Sequence, residues 1–389
     1  MDPRISRWAK TLVGYCLEVR PGQTIMIRAT PAAEPLVAEV HREVLRAGGH
    51  PVPWLALPAL REIELREGND EQLSWINPGE RALLEQMDAS LRIASEMNTR
   101  QLAGVDPKRM ALRNRALRAL DKLIHHGPSG KESAWCLTLF PTQAYAQEAG
   151  MSLADFEEFV YEACFLNSAD PAARWRELGE RQQFYVDWLR EKRDVRVVGP
   201  ETDLRLSIAG RVFRNSDGKR NFPSGEFFTG PVEDSVEGHI FFSIPSVVNG
   251  HAVQNIRLTF EHGCVVEATA EQGQAYLDEM LETDEGARVV GEFAFGNNFG
   301  IQRGIRNILF DEKIGGTIHM ALGNSYPETG GKNVSALHWD MICDLRAAAG
   351  GGEVYVDGTL FLKDGRLMLA PDGAPAHSTP TTATRREER

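Results

Sequence analysis

The chain has 389 residues, 42% apolar, 25% charged and 8% aromatic, a profile that excludes a fibre, a coiled coil or a wholly disordered chain. With 43 basic and 55 acidic residues the net charge is −12, so no general electrostatic footprint for nucleic acid exists. At roughly 150 residues per domain the length implies two domains, and the longest nearly apolar run, Val52–Leu60, carries two prolines and falls far short of the ~20 residues that span a bilayer.

Met1-Asp2-Pro3-Arg4 has no apolar segment behind it, so no signal peptide is expected. Five widely spaced cysteines, Cys16, Cys136, Cys164, Cys264 and Cys343, contain no C-x-x-C and read as reduced thiols of a cytoplasmic protein. Thr24–Arg28 predicts a strand after the Pro21-Gly22 turn, and Pro35–Arg46 a helix closed by Gly48-Gly49. Pro51–Leu57, Leu91–Ala94 and Trp135–Phe140 predict further extended segments, with a helix over Lys108–Ile124. This β-α-β rhythm predicts an α/β domain with a mostly parallel sheet. Two helices follow, one capped by Ser152 and one over Ala172–Lys192, and the domain boundary is placed near residue 193. Residues 194–369 change to short β-rich runs punctuated by Gly and Asn/Asp turns: 195–198, 203–208, 239–244, 255–260, 265–268, 288–295, 317–322 and 335–342. Gln272–Glu282 is the one clear helix there, and Asp364-Gly365 marks a closing hairpin turn. The second domain is therefore expected to be β-rich α+β. Residues 370–389 hold little that can build a core and are expected to be a disordered tail.

Familiar catalytic motifs fail. Gly127-Pro128-Ser129-Gly130-Lys131 lacks both the first Gly and the final Ser or Thr of a phosphate loop. G-x-G-x-x-G after the first strand, H-E-x-x-H and G-x-S-x-G are all absent. His125-His126 reads as a pair of exposed loop histidines.

What stands out is ionisable residues inside apolar strands. Alternation places Val290, Glu292 and Ala294 on one face of 289–295, with Val289, Phe293 and Phe295 on the other. Both faces are apolar, so the strand is expected to be buried on both sides. His319 shares a face with Thr317 and Ala321, and His338 and Asp340 project together from 336–342. A buried carboxylate must be paired, protonated or bound to metal. No Lys or Arg lies within these runs, and Glu, His and Asp are good zinc, manganese or iron ligands. The pattern predicts a metal site. Glu226 is a fifth candidate, because Gly225 before it and Phe227-Phe228 after it suggest a tight turn feeding a buried strand.

In the stretches 221–231, 291–298, 309–323, 325–331 and 335–342 the sequence resembles the aminopeptidase T / aminopeptidase S family of dinuclear metallopeptidases. The resemblance is dense from about residue 200 to 369 and weaker in the first half, where Val19-Arg20-Pro21-Gly22-Gln23 and Arg46-Ala47-Gly48-Gly49 are compatible with it. It implies that Glu226, Glu292, His319, His338 and Asp340 hold two divalent ions per chain (Zn, Co or Mn). It implies catalytic roles for Tyr326 and Glu292, peptide substrates with a free N-terminus, hydrolysis by a two-metal-activated water, and a homodimer. Three carboxylates and a bridging hydroxide would balance two divalent ions. Ser224, Phe227-Phe228 and Phe293-Ala294-Phe295 depart slightly from the family pattern beside ligand positions without replacing one.

Two rivals remain at this stage. Ring-cleaving dihydroxypyridine dioxygenases resemble the same C-terminal domain, and a mononuclear Fe(II) site needs only His319, His338 and Asp340. Glu226 and Glu292 argue against it, since one ion does not need five ligands. A non-catalytic, metal-stabilised module is the second rival, disfavoured by the intact Tyr326.

Overall fold

The first half of the chain builds a parallel sheet because its strands are separated by helices long enough to cross back over it. In the computed structural model, which describes residues 2–126, 133–248 and 250–369, its elements run α1 (Pro3–Thr11), β1 (Thr24–Ala29), α2 (Glu34–Arg46), β2 (His50–Leu55), α3 (Pro58–Glu67), α4 (Asp70–Ser74), α5 (Pro78–Gln86), β3 (Ala89–Ala94), α6 (Pro107–His126), β4 (Ala134–Leu139), α7 (Gln143–Glu148), α8 (Leu153–Ala163) and α9 (Pro171–Leu189). The segment 127–131 and the tail from residue 370 lie outside the described residues. Strands β1 to β4 are parallel in the order β2-β1-β3-β4. The punctuation read from the sequence acts as expected: Gly48 takes a φ of 80° just past α2, and the Ser152 hydroxyl caps α8 by accepting from the Asp155 N–H. One detail differs. Helix α6 continues through His126, so the histidine pair ends a helix rather than lying in a loop.

The second half continues with β5 (Asp194–Gly199), β6 (Thr202–Ser207), β7 (Arg214–Ser216), β8 (Asn221–Phe222), β9 (Glu226–Thr229), β10 (Glu237–Phe242), β11 (Ser246–Val248), β12 (His251–Glu261), β13 (Cys264–Gln272), α10 (Gln274–Leu281), β14 (Val290–Gly296), α11 (Ile308–Asp311), β15 (Thr317–Gly323), β16 (His338–Asp344), β17 (Glu353–Val356), β18 (Thr359–Lys363) and β19 (Arg366–Leu367). Asp364 and Gly365 both take positive φ in the β18–β19 turn, the geometry that suits a two-residue hairpin. Most of these strands join one large antiparallel sheet, while a smaller sheet runs β16-β15-β14-β9-β7. Strand β8 crosses back to pair in parallel with β4, so the chain passes from the first sheet to β9 within four residues.

The smaller sheet has two unlike faces. Phe227, Phe293, Phe295, Ile318, Met320, Leu322, Trp339 and Met341 all enter the core shared with the large sheet. Phe295 lies 5.0 Å from both Phe227 and Phe361, ring centre to ring centre. The opposite face carries the ionisable residues.

Strict alternation along β14 fails at one place. Val290 pairs with Leu322, but Glu292 pairs with Ala321, so two residues of β14 oppose one of β15 at a bulge. Val290 therefore joins the apolar core instead of sharing a face with Glu292, and the bulge re-aims Glu292 to the ionisable face. Gly291 makes this fit: a Cβ there would lie 2.4 Å from the carbonyl oxygens of both Gly323 and Asn324. Gly291→Ala is expected to cost ~1–3 kcal/mol, as other overpacking does, and to weaken divalent-metal binding. Thermal unfolding and a metal titration check this; an unchanged melting temperature and unchanged metal binding would contradict it.

Candidate metal centre

Four strands deliver five candidate residues to one face. Glu226 opens β9 after a turn that needs Gly225, whose φ is 108° and whose Cβ would lie 2.8 Å from Asn298 Cβ. The Asn298 amide pins that turn by donating to the Ser224 and Ala163 carbonyls at 2.9 and 3.0 Å. Beside the ionisable side chains the register places small residues: Gly296 opposite Glu226, Ala294 opposite His319, Ala321 opposite both Glu292 and Asp340, and Gly323 opposite His338. These positions leave a floor without bulky side chains, which is why the carboxylates and imidazoles converge.

His319 Nε2 lies 3.4 Å from Glu226 Oε2 and 3.5 Å from Glu292 Oε1. His338 Nε2 lies 3.4 Å from Glu292 Oε2 and 3.5 Å from Asp340 Oδ2. His338 Nδ1 donates to the Asn324 carbonyl at 2.8 Å, which in the neutral ring leaves the Nε2 lone pair facing the cluster. Tyr326, whose hydroxyl is 3.5 Å from His338 Nε2, packs its ring 5.3 Å from Phe228. All six residues named in advance therefore meet in one place.

The structure adds two that the strand pattern missed. Lys313 is 1% exposed and donates to Glu226 Oε1 at 2.5 Å and to Glu312. Glu312 is also buried. Asp311-Glu312-Lys313 reads as a surface charge run, and only its apolar flanks, Ile308-Leu309-Phe310 and Ile314, signal burial. Side-chain atoms able to ligate a divalent ion fall within 4.8 Å of one another in three groups: Glu226, Glu292 and His319; Glu292, His338 and Asp340; Glu312, His319 and Asp340. Glu292 is common to the first two.

Burial and like charge strain these groups. Burial lowers the pKa of His319, but Glu292 and Glu226 outweigh it and lift the imidazole to about 9. Burial likewise opposes a charged His338, and Asp340 and Glu292 overcome it, to about 12. Burial, with Asp340 and Glu226 nearby, raises Glu312 to about 8 despite Lys313. Asp340 is held well below the carboxylate range because His338 overcomes its burial. The Tyr326 phenol is pushed well up by burial and by the carboxylates, so it stays a donor.

A cation fits here on one structural ground. Glu226 Oε2, both His319 ring nitrogens and Asp340 Oδ1 are buried with no hydrogen-bond partner. Leaving such atoms unsatisfied costs ~1–3 kcal/mol each, and mixed imidazole and carboxylate donors suit a divalent transition-metal ion.

Comparison with known proteins agrees with this chemistry. Residues 1–366 match the model of the thermophilic metalloprotease family M29. The chain is 31% identical to aminopeptidase 2 of Geobacillus stearothermophilus, over 93% of this chain and 96% of that one. The fold matches AmpT from Thermus thermophilus with a TM-score of 0.80 and 24% identity, covering 94% and 99% of the two chains. It also matches a 2,5-dihydroxypyridine dioxygenase from Pseudomonas putida KT2440, at a TM-score of 0.59 and 15% identity, over 96% and 99%. The family model spans nearly the whole chain, and the protein belongs to the M29 metalloproteases.

Proposed function

We propose that this chain, a metallo-aminopeptidase of the M29 family, removes single residues from the free N-terminus of peptides using two divalent cations. The observation that carries the two-cation reading is Glu292, whose oxygens face His319 and His338 and which belongs to two separate ligand groups. Glu226, Glu292 and His319 would hold one cation, and Glu292, His338 and Asp340 the other, with Glu312 in reach of the first through His319. Two such ions, when bound, supply Lewis-acid activation of water and of the scissile carbonyl.

The side chains supply the rest. Tyr326 keeps its phenolic proton and is placed to donate a hydrogen bond to oxyanion charge as the carbonyl is attacked. Glu292 would contribute an oxygen to each ligand group, so catalysis and ligation would depend on the same carboxylate. Asn324 holds His338 in the tautomer that presents Nε2. Zinc, cobalt or manganese as the metal, a homodimer, a cytoplasmic setting and a division into domains 1–193 and 194–369 belong to the same proposal and rest on the family resemblance and the sequence pattern. No helix among the described residues is long and apolar enough to cross a membrane.

The Fe(II) dioxygenase reading has the shared fold in its favour. Against it, the three ligand groups separate His319 from His338, and three carboxylates besides Asp340 crowd the site. Fold alone does not fix chemistry.

Glu292→Gln conserves volume but removes one negative charge. Peptide hydrolysis is expected to fall at least ~100-fold, about 2.7 kcal/mol of transition-state stabilisation, with loss of at least one ion. Full activity with a full metal complement would refute the shared role of Glu292.

Protons provide a second test. Without metal, the two imidazoles are charged at neutral pH, because their folded pKa values lie above the ordinary 6.5. That charge stabilises the metal-free fold fully below pH 6.5, and the His319 share is lost as pH rises through about 9. Metal must displace these protons, so affinity should rise with pH and loading at pH 7.5 should release about two protons per chain. Calorimetric titration in buffers of different ionisation enthalpy measures the release; none would contradict the arrangement.

A further inference from the structure

A cavity of about 260 Å³ lies where the carboxyl ends of the parallel strands meet loops of the second half. Open α/β sheets bind ligands outside the carboxyl ends of their strands, and this cavity lies beyond the ends of β3 and β4. The segment just after β3 contributes Glu96, Thr99 and Arg100 to the cavity, and α7 contributes Tyr145 and Glu148. From the second half come Val247, Ile305 and Arg306.

Most of its polar groups are already satisfied. Arg100 Nε donates to Glu148 at 3.0 Å and its Nη1 to the Gly250 carbonyl at 3.3 Å, while the Thr99 hydroxyl donates to Glu148 at 2.9 Å. Two groups are not. Glu96 Oε2 is buried with no hydrogen-bond partner, although the Glu96 backbone is fixed by the Thr142 hydroxyl at 2.7 Å. Arg306, an exposed residue on the cavity wall, makes no side-chain hydrogen bond among the described residues, and its charge acts on Glu148.

Arg306 is also held in an unusual conformation. Its φ is 60°, a costly region for a residue other than Gly, Asn or Asp. The buried Asp311 carboxylate holds that loop by accepting from the Ile305 and Asn307 N–H groups at 2.7 and 3.0 Å. The loop backbone therefore places an exposed cation of the second half on the wall of a cavity that also holds an unpaired carboxylate oxygen of the first. Between them are the apolar walls of Tyr145, Phe156, Val247 and Ile305.

We propose that this cavity binds a free amino acid with an apolar side chain: ammonium on Glu96, carboxylate on Arg306, side chain against Tyr145, Phe156, Val247 and Ile305. The volume lies just below the usual range of small-molecule pockets and suits so small a ligand. Because one anchor comes from each half, the bound zwitterion ties the two halves together. An aminopeptidase releases this class of molecule, so the site reports product concentration; binding itself does not depend on the metal reading.

The test is a calorimetric titration of L-leucine into the metal-loaded full chain, its Glu96→Gln variant and its Arg306→Met variant, with peptide hydrolysis measured alongside. The expected result is saturable binding that each substitution weakens at least 10-fold, with kcat/KM at low product unchanged. 3-Methylbutylamine, which lacks the carboxylate, and 4-methylpentanoate, which lacks the ammonium, should each bind at least 10-fold more weakly than leucine. No saturable binding, or leucine binding untouched by both substitutions, would overturn the proposal. A parallel loss of kcat/KM in both variants would place the ligand at the metal centre and overturn it equally.

Discussion

Glu226, Glu292, Glu312 and Asp340 are gathered in one buried region against Lys313 and two imidazoles, and the surrounding architecture answers to that charge. Two like charges 4 Å apart repel by ~4 kcal/mol at an effective dielectric of 20. Lys313 neutralises part of this by touching both Glu226 and Glu312. The rest falls on His319 and His338, which is why both are driven toward the protonated form in the absence of metal. Divalent cations would relieve the same repulsion more completely and would satisfy buried oxygens and nitrogens that make no hydrogen bond within the protein.

Holding such a cluster requires a rigid support, and the two-faced sheet provides it. On one side Phe227, Phe293, Phe295, Met320, Leu322 and Trp339 lock into the core. Each such side chain contributes ~1.5–3 kcal/mol through burial, so the strands cannot slide without exposing a whole row. On the other side Gly296, Ala294, Ala321 and Gly323 leave the space the ligands need. The bulge at Gly291 links the two faces, since it keeps Val290 in the core and still turns Glu292 outward.

Much of this was legible in the sequence, for identifiable reasons. Strands with strong apolar character, such as 317–322, declared both their extent and the oddity of a buried His319. The helix punctuation of α2 and α8 was readable because Gly and Ser act locally. The short helices α3 to α5 leave no periodic stripe in the sequence because each buries only one leucine, Leu65, Leu73 and Leu84 respectively. Alternation along β14 puts Val290 on the wrong face because a bulge depends on the partner strand, which the pattern of one strand does not contain. Glu312 and Lys313 were invisible as site residues because three successive charges look solvated until tertiary packing buries them. The likeness to both AmpT and a dioxygenase shows the limit of the fold as a guide, so the functional argument rests on the carboxylates that crowd the cluster.

The central claim is that Glu292 is shared by two cations. Anomalous diffraction from cobalt-loaded crystals tests it most directly. Two peaks per chain are expected, one contacting Glu226 and His319, the other His338 and Asp340, with Glu292 touching both. A single peak held by His319, His338 and Asp340, with Glu226 and Glu292 turned away, would contradict it.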